Sequence, residues 1–337
     1  MSKKTFIIAE AGINHNGNIN IAKKMIKVAK ECGADAIKFQ SYKSERLVTK
    51  NLSLAKYQKK SEKNNRKMLN MLKKYELSEK DQIKLYKYSK KLKIIFISSA
   101  FDLKSLSFLI RNLNLKILKI PSGEITNLPY LIAIAKSKKK LILSTGMSNL
   151  KEIRDAVMIL TKNGLKKKNL KILHCNTAYP TPYENVNLNV INKLKNIFKV
   201  DIGYSDHTKD FEISLAAVAM GATIIEKHFT LNKKMSGPDH SSSLDPIGLS
   251  RLIKSIRNIE LAKGSFVKKI TNSEKENVLF SRKSLVASKI IKKGEKFSKF
   301  NITAKRPGGG ISPMKWFDVI NKNSKKIFKK DELIKLW

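Results

Sequence analysis

Eight short apolar runs recur along residues 5–262, and nearly every one turns polar where it ends. Segments with helical spacing separate most of them, so predicted strands alternate with predicted helices. This alternation predicts a (β/α)8 TIM barrel, in which polar strand ends meet at one face and form the site. The predicted strands comprise residues 6–9, 36–40, 94–98, 117–120, 141–146 and 172–177, and two later runs that end near His207 and His228.

The histidine-bearing runs share a plan. Apolar residues lead to Ser205, Asp206 and His207 in one, and to Glu226, Lys227 and His228 in the other. In a barrel both histidines would face the same loop-built site, which suggests a divalent metal as their common partner. A lone histidine at a strand end is more simply explained as a satisfied packing residue, so the hypothesis depends on the pair.

Two lysines lie in predicted strands, at positions that we expect to face the barrel interior. Lys38 and Gln40 alternate with Ile37 and Phe39, so they share one face of their strand, which we take as the barrel interior. A buried ammonium group is costly unless it meets an anion. Lys119 repeats the pattern in the fourth strand, and the two lysines therefore predict an anion site.

The chain beyond the barrel divides into two further segments. Residues 263–280 are polar and predict a linker after a barrel domain at 1–262, and residues 281–337 predict a small domain of short strands and turns. Arg306 stands beside a glycine-rich loop at 308–310. An arginine on so flexible a backbone could reach an anion.

Composition excludes several classes of protein. The formal net charge is +42, but the lysines are spread along the chain without an RNA-binding or zinc signature, so a solvated surface is favoured over nucleic-acid binding. Cys32 and Cys175 fit neither a disulfide framework nor a cysteine-rich metal site. No apolar run approaches the roughly 20 residues that span a bilayer, and no signal peptide is evident. We expect a cytoplasmic protein without membrane contact.

Eight motifs in order resemble the sialic acid synthase family, and together they cover essentially the whole chain. They are AEAGINHNG (9–17), IKFQ (37–40), KIPSGEITNLPYL (119–131), LSTGM (143–147), GYSDHT (203–208), EKHFTL (226–231), SGPDH (236–240) and KRPGGGISPM (305–314). The resemblance implies a barrel with a small C-terminal antifreeze-like (SAF) domain, paired in a domain-swapped homodimer.

The resemblance also implies a reaction. Members of the family condense phosphoenolpyruvate with an N-acetylated hexosamine to give a nine-carbon 2-keto acid. We predict an N-acetylneuraminate synthase that uses phosphoenolpyruvate, N-acetylmannosamine and water and releases phosphate. A legionaminic or pseudaminic acid synthase, which would take a differently decorated sugar, is the alternative. A metal-dependent pyruvate aldolase and a non-enzymatic basic binding module are less favoured.

Roles follow from the matched motif positions. His207 and His228 would bind Mn2+ or Mg2+, which would polarise the sugar aldehyde. Glu124 would transfer a proton, and Glu10 would orient the sugar or water. The residues expected to hold the phosphate and carboxylate of phosphoenolpyruvate are Lys38, Gln40, Lys119, Ser122 and Ser144.

The sugar end has its own set of matched positions. Tyr179 and Asp239 would line it, and Arg306 would bind the acetamido group, across the dimer in this family. This assignment makes the small domain part of the active site.

Overall fold

The computed structural model describes residues 4–54, 58 and 67–336, so the predicted domains 1–262 and 281–337 each extend beyond the described residues. The chain divides into two compact units, Met1–Gly264 and Ser265–Trp337. Most of the segment predicted as a linker, 263–280, falls in the second unit, and its last residues are helical. Among the described residues, no helix combines the length and the apolar character needed to cross a membrane.

The first unit is a closed barrel of eight parallel strands that pair in chain order, which confirms the predicted fold. Most strand bounds differ from the predicted ones by one or two residues, as expected where strand ends merge into loops. The strands are β1 Phe6–Gly12, β2 Ala36–Ser41, β3 Ile95–Ala100, β4 Ile117–Ile120, β5 Lys140–Ser144, β6 Leu170–Cys175, β7 Asp201–Asp206 and β8 Ile224–His228.

Helices surround the barrel, and most of their apolar faces pack on the outside of the sheet. The helices at 44–47 and 68–75 belong instead to a separate apolar cluster with Ile13, Tyr42 and Leu54. The helices are α1 Ile19–Glu31, α2 Ser44–Leu47, α3 Met68–Tyr75, α4 Glu79–Lys91, α5 Leu103–Arg111, α6 Leu128–Lys136, α7 Leu150–Lys162, α8 Asn189–Phe198, α9 Glu212–Ala219 and α10 Pro246–Ala262.

Local sequence explains the limits of these helices. The Asn149 side chain accepts a hydrogen bond from the amide of Glu152, whose carboxylate accepts one from the amide of Asn149, so a capping box begins α7. Helix α1 begins at the cap Asn18 and ends before Gly33, whose φ of +90° suits glycine. The buried residues of α1 recur at helical spacing: Ala22, Met25, Ile26 and Ala29.

Side chains inside the barrel form two layers. The lower layer is an apolar cluster of Ile8, Ala36, Ile97, Ile117, Ile142, Leu173 and Ile224. The upper layer lies two residues further along the same strands and consists of Glu10, Lys38, Ser99, Lys119, Ser144, Cys175 and Glu226. On β7 the lower position is Gly203, where a Cβ would lie 2.6 Å from Leu173 Cδ2. Glycine there leaves room for the apolar packing of the lower layer.

The second unit has a small core of its own. Helix α11, Lys275–Ser281, precedes an antiparallel pair of strands, β9 Ser284–Ala287 and β10 Ile302–Lys305, and the short helix α12, Trp316–Val319, follows. Its core cluster consists of Leu285, Ala287, Ile291, Phe297, Ile302, Val319, Phe328 and Ile334. The second unit therefore has the apolar core of a small domain.

Candidate active site

A cavity of about 270 Å³ lies inside the mouth of the barrel, above the upper layer. It gathers predicted site residues from seven of the eight strands or the loops that follow them. Those residues are Glu10, Lys38, Gln40, Lys119, Ser122, Ser144, Tyr179, His207 and His228. The barrel thus brings nine predicted side chains to one cavity, as the carboxyl ends of parallel strands should.

Four charged side chains form the floor of this cavity. Lys38 Nζ lies 2.8 Å from Glu10 Oε2 and 3.8 Å from Glu226 Oε2. Lys119 Nζ lies 3.4 Å from Glu226 Oε1, so Glu226 stands between the two lysines. All four side chains are at most 6% exposed. Such a cluster is expensive to bury, and its lysines are well placed to receive an anionic ligand.

Three serine hydroxyls of the barrel interior bind the cluster. Ser205 donates to Glu226 Oε1 at 3.0 Å, Lys38 donates to Ser99 at 3.3 Å, and Lys119 donates to Ser144. Small hydroxyl side chains satisfy buried charges without filling the space above them. The serines therefore hold the lysines in place while the cavity stays open.

The pKa values of this cluster follow from burial and from opposite charges. Burial alone would raise the pKa of Glu226, but Lys119 and Lys38 outweigh it and lower that pKa to about 2. Burial raises the pKa of Glu10 to about 7, against the opposing effect of Lys38. Burial also lowers the pKa of Lys119. Glu226 is thus the ionised partner of the lysines, whereas Glu10 can hold a proton near neutral pH.

The two histidines lie side by side at the wall of the cavity. Their ring centroids are 5.4 Å apart, and the Tyr179 ring packs against both, at 4.2 Å from His207 and 5.5 Å from His228. The Tyr179 hydroxyl is 3.0 Å from His207 Nε2. Burial lowers the pKa of His207 to about 4 and that of His228 well below its usual value. Both imidazoles are therefore neutral at physiological pH.

Neutral imidazoles are the form that binds metal ions, so we tested whether this pair fits a divalent cation. His207 Nδ1 bonds the carbonyl oxygen of Asn176, which assigns the proton to Nδ1 and leaves the lone pair on Nε2. His228 Nδ1 is buried and has no hydrogen-bond partner among the described residues. The pair fits a cation held by two histidines. Within the described ranges, no group of three or more His, Cys, Asp or Glu side chains is arranged to hold a metal.

Three predicted site residues lie outside the lining of the cavity. Glu124 follows β4 in a 3-10 turn, where its carboxylate accepts a hydrogen bond from Asn127 at 2.6 Å and burial raises its pKa. Asp239 lies between β8 and α10, and burial raises its pKa to about 6. Arg306 belongs to the second unit, in which Gly308 N donates to the carbonyl oxygen of Leu279 at 2.7 Å. That bond ties the arginine-bearing loop to α11.

Sequence reasoning missed Glu226 as a member of the site. The sequence could have predicted that Glu226 faces the site, because Glu226 and His228 are two residues apart on one strand and must share a face. The same alternation identified Lys38 and Gln40. Ser99 and Ser205, which bond Lys38 and Glu226, carry a weaker signal, because serine is common at strand ends of every kind.

Comparison with known proteins identifies relatives of the whole chain. Residues 25–268 match the NeuB family, and residues 282–336 match the SAF domain. The chain is 53% identical over 333 residues to N,N'-diacetyllegionaminic acid synthase of Campylobacter jejuni, covering 99% of each protein. It is 44% identical to the protein of the same name from Legionella pneumophila, covering 95% of this chain and 90% of that one.

A solved structure supports the same relationship. The crystal structure of N-acetylneuraminic acid synthetase from Leptospira borgpetersenii matches with a TM-score of 0.71 and 36% identity. The match covers 82% of this chain and 90% of that one. Identity is therefore higher to the two legionaminic acid synthases than to this neuraminic acid synthetase.

Proposed function

The chain belongs to the NeuB family and carries a SAF domain, and from that premise we propose that it condenses phosphoenolpyruvate with an acetamido sugar. The product would be N,N'-diacetyllegionaminic acid or a close relative of it. The observation that carries the proposal is the cavity in which two buried lysines lie beside a pair of neutral histidines. This revises the sequence-based preference for N-acetylneuraminate, because the more similar relatives carry the legionaminic name.

The name of that product constrains the sugar. Phosphoenolpyruvate contributes three carbons and no nitrogen, so the condensation itself adds no acetamido group. Both N-acetyl groups of the product must already be present on the sugar. The substrate that we propose is therefore a hexose with two acetamido groups, whereas N-acetylmannosamine has one.

The floor of the cavity would bind phosphoenolpyruvate. Its phosphate and carboxylate need cations, and the Lys38 and Lys119 ammonium groups face the cavity from adjacent positions around Glu226. The Ser122 hydroxyl accepts a hydrogen bond from Gly146 N at 3.0 Å and lies 3.4 Å from Cys175 Sγ, and its O–H could turn to donate to a ligand oxygen. Charge-assisted bonds of this kind are the stronger hydrogen bonds in proteins.

The wall of the cavity would hold the sugar aldehyde. A divalent cation bound by His207 and His228 would supply Lewis-acid polarisation of the aldehyde oxygen. The Tyr179 ring would pack against His207 and cover the neighbouring His228, and its hydroxyl, which lies 3.0 Å from His207 Nε2, would release that nitrogen to the cation. Glu10 lines the cavity and can carry a proton near neutral pH, so it is placed to exchange one with the sugar or water.

The other assignments extend this proposal. Glu124 remains the predicted proton-transfer residue at the rim, and Asp239 remains a predicted sugar contact. Arg306, delivered by the SAF domain in a domain-swapped homodimer, remains the predicted contact of an acetamido group. Mn2+ or Mg2+ remains the predicted metal.

The proposal predicts a clear choice between sugars. Purified protein with Mn2+ and phosphoenolpyruvate should release phosphate faster with a hexose that carries two acetamido groups than with N-acetylmannosamine. Mass spectrometry of the product should show the sum of the sugar and a three-carbon 2-keto acid unit. A difference of about tenfold or more in kcat/KM is expected if one acetamido group makes a well-formed polar contact.

The competing functions predict different results. Higher kcat/KM with N-acetylmannosamine would make the chain a neuraminate synthase. Turnover with pyruvate in place of phosphoenolpyruvate would indicate an aldolase. When a lysine of the cavity is replaced by Met, Lys268→Met, which changes a lysine outside the cavity, is the control for nonspecific loss of charge.

A further inference from the structure

A second buried charge cluster lies on the opposite side of the two histidine-bearing strands. Asp206 is the last residue of β7, and Lys227 is the neighbour of His228 on β8. Their charged groups are 3.0 Å apart, and both side chains are at most 1% exposed. The cavity lining includes His207 and His228 but neither member of this pair.

The polar groups of this pair are well satisfied. Asp206 Oδ1 accepts hydrogen bonds from the amide and the hydroxyl of Thr208, at 2.8 and 2.7 Å. Asp206 Oδ2 accepts one from the hydroxyl of Ser214 on α9, at 2.6 Å. Lys227 Nζ donates to the carbonyl oxygen of Thr208 at 2.6 Å. The network therefore joins β7, β8, α9 and the turn that follows His207.

Stability alone does not explain a charged pair at this place. Most residues on the sheet side that faces the helices are apolar, and replacing a buried ion pair by apolar groups is often neutral or stabilising. Position distinguishes this pair, since Asp206 precedes His207 and Lys227 precedes His228. Asp206 and Lys227 are also register partners on the neighbouring strands.

We propose that Asp206 and Lys227 are positioning residues that fix the separation and orientation of His207 and His228. Each member of the ion pair is the residue that precedes one of the histidines. Because the ion pair fixes the backbone at both positions, it also restricts the positions of both imidazoles. Thr208 extends the lock to the residue after His207, which is thus held on both sides. The inference rests on the proposed two-histidine site but does not depend on which sugar is used.

The test removes both charges together, so that neither is left buried without its partner. In Asp206→Asn/Lys227→Met the thermal midpoint should stay near that of the wild type. Co2+ affinity, read from its visible absorption, should fall on the order of 10- to 100-fold, as for other residues that orient metal ligands. The kcat should fall with it, while the KM for phosphoenolpyruvate should change less than about threefold because Lys38 and Lys119 lie on other strands.

A matched control changes an ion pair at the opposite end of the barrel, between Asp35, just before β2, and Arg257 of α10. Asp35 accepts hydrogen bonds from Ile7 N at 2.9 Å and from Arg257 at 3.2 Å. Asp35→Asn/Arg257→Met should lower the thermal midpoint without changing Co2+ affinity or kcat. If Asp206→Asn/Lys227→Met does not fold, Ser214→Ala replaces it, because it removes a single donor to Asp206. A Co2+ affinity reduced several-fold in Ser214→Ala would support the inference, and an unchanged affinity would overturn it.

A crystal structure of the double variant separates this inference from the proposed function. If wild-type protein binds no Co2+, the proposed metal site fails, and the positioning role is judged by geometry alone. Loss of the 3.0 Å contact between Tyr179 and His207, with a changed 5.4 Å ring separation, would support the role. Unchanged geometry, or unchanged Co2+ affinity and kcat in a folded double variant, would overturn it.

Discussion

The two interior layers of the barrel occupy the same strands, two residues apart, and have opposite chemistry. The lower layer is apolar, whereas the upper layer carries two lysines and two glutamates. The lower layer is buried apart from the partly buried Ile117, and the upper side chains are at most 6% exposed. Burying charge opposes folding unless each group is paired, whereas burying isoleucine favours it. The comparison indicates that the lower layer stabilises the barrel, whereas the charged upper layer is the part for which we propose a ligand.

The largest expected effect on activity is that of replacing His228, which lies two residues beyond Glu226 of the upper layer along β8. His228→Ala should lower kcat on the order of 10³-fold, since a bound Lewis acid contributes several kcal/mol and each 1.36 kcal/mol is tenfold. Chelation should inactivate the wild type, and added Mn2+ should restore it but not the variant. His174→Gln is the control, because His174 bonds the carbonyl oxygen of Val186 outside the cavity. Full activity of metal-free wild type would contradict the metal site.

The next largest effect is expected from a substitution in the lower layer, which should change the free energy of unfolding rather than kcat. Leu173→Ala deletes a fully buried side chain and should lower the free energy of unfolding by about 3 kcal/mol, within the range for buried leucines. Denaturant midpoints measure this, with the exposed Leu103→Ala as the control. Turnover at a temperature where the variant is folded should change only a few-fold. A loss of kcat as large as that of His228→Ala would mean that the two layers are not separate in function.

Replacing a lysine of the upper layer by an apolar residue should affect the KM for phosphoenolpyruvate more than the KM for the sugar. Lys119→Met keeps the length of the side chain and removes the charge that faces the cavity. The KM for phosphoenolpyruvate should rise about 10- to 100-fold, because a charge-assisted hydrogen bond contributes about 1.5–3 kcal/mol. The KM for the sugar should rise much less, and Lys38→Met should behave alike. Equal effects on both KM values would indicate that the lysines are structural.

The smallest expected effects on stability and on KM are those of two single substitutions on one strand. Ile142 and Ser144 both lie on β5, one in each layer. Ile142→Val should lower the free energy of unfolding by about 1 kcal/mol and leave both KM values alone. Ser144→Ala removes the hydroxyl that Lys119 binds and should raise the KM for phosphoenolpyruvate by about fivefold, equivalent to about 1 kcal/mol. If the two variants showed the same pattern, the division into layers would be wrong.

Much of this division could be predicted from the sequence. Alternation placed Lys38 and Gln40 on the interior face, and the polar ends of the apolar runs indicated the face at which the site forms. The same local rule applies to Glu226, which was nevertheless missed. Glu124 shows the limit of the rule, because it follows β4 in a turn that the sequence places at the rim without fixing where its side chain points.

The sequence by itself determined the barrel, because a period of two along each strand and helical spacing between strands are local properties. It also determined that lysines and histidines would meet at one face. Tertiary structure alone decided which charges pair: Glu226 with Lys38 and Lys119 inside the barrel, and Asp206 with Lys227 outside it. The physical reason is that such pairs depend on the stagger between neighbouring strands and on the helix packed behind them. Stagger comes from closing the whole sheet, and no single segment of the chain contains it.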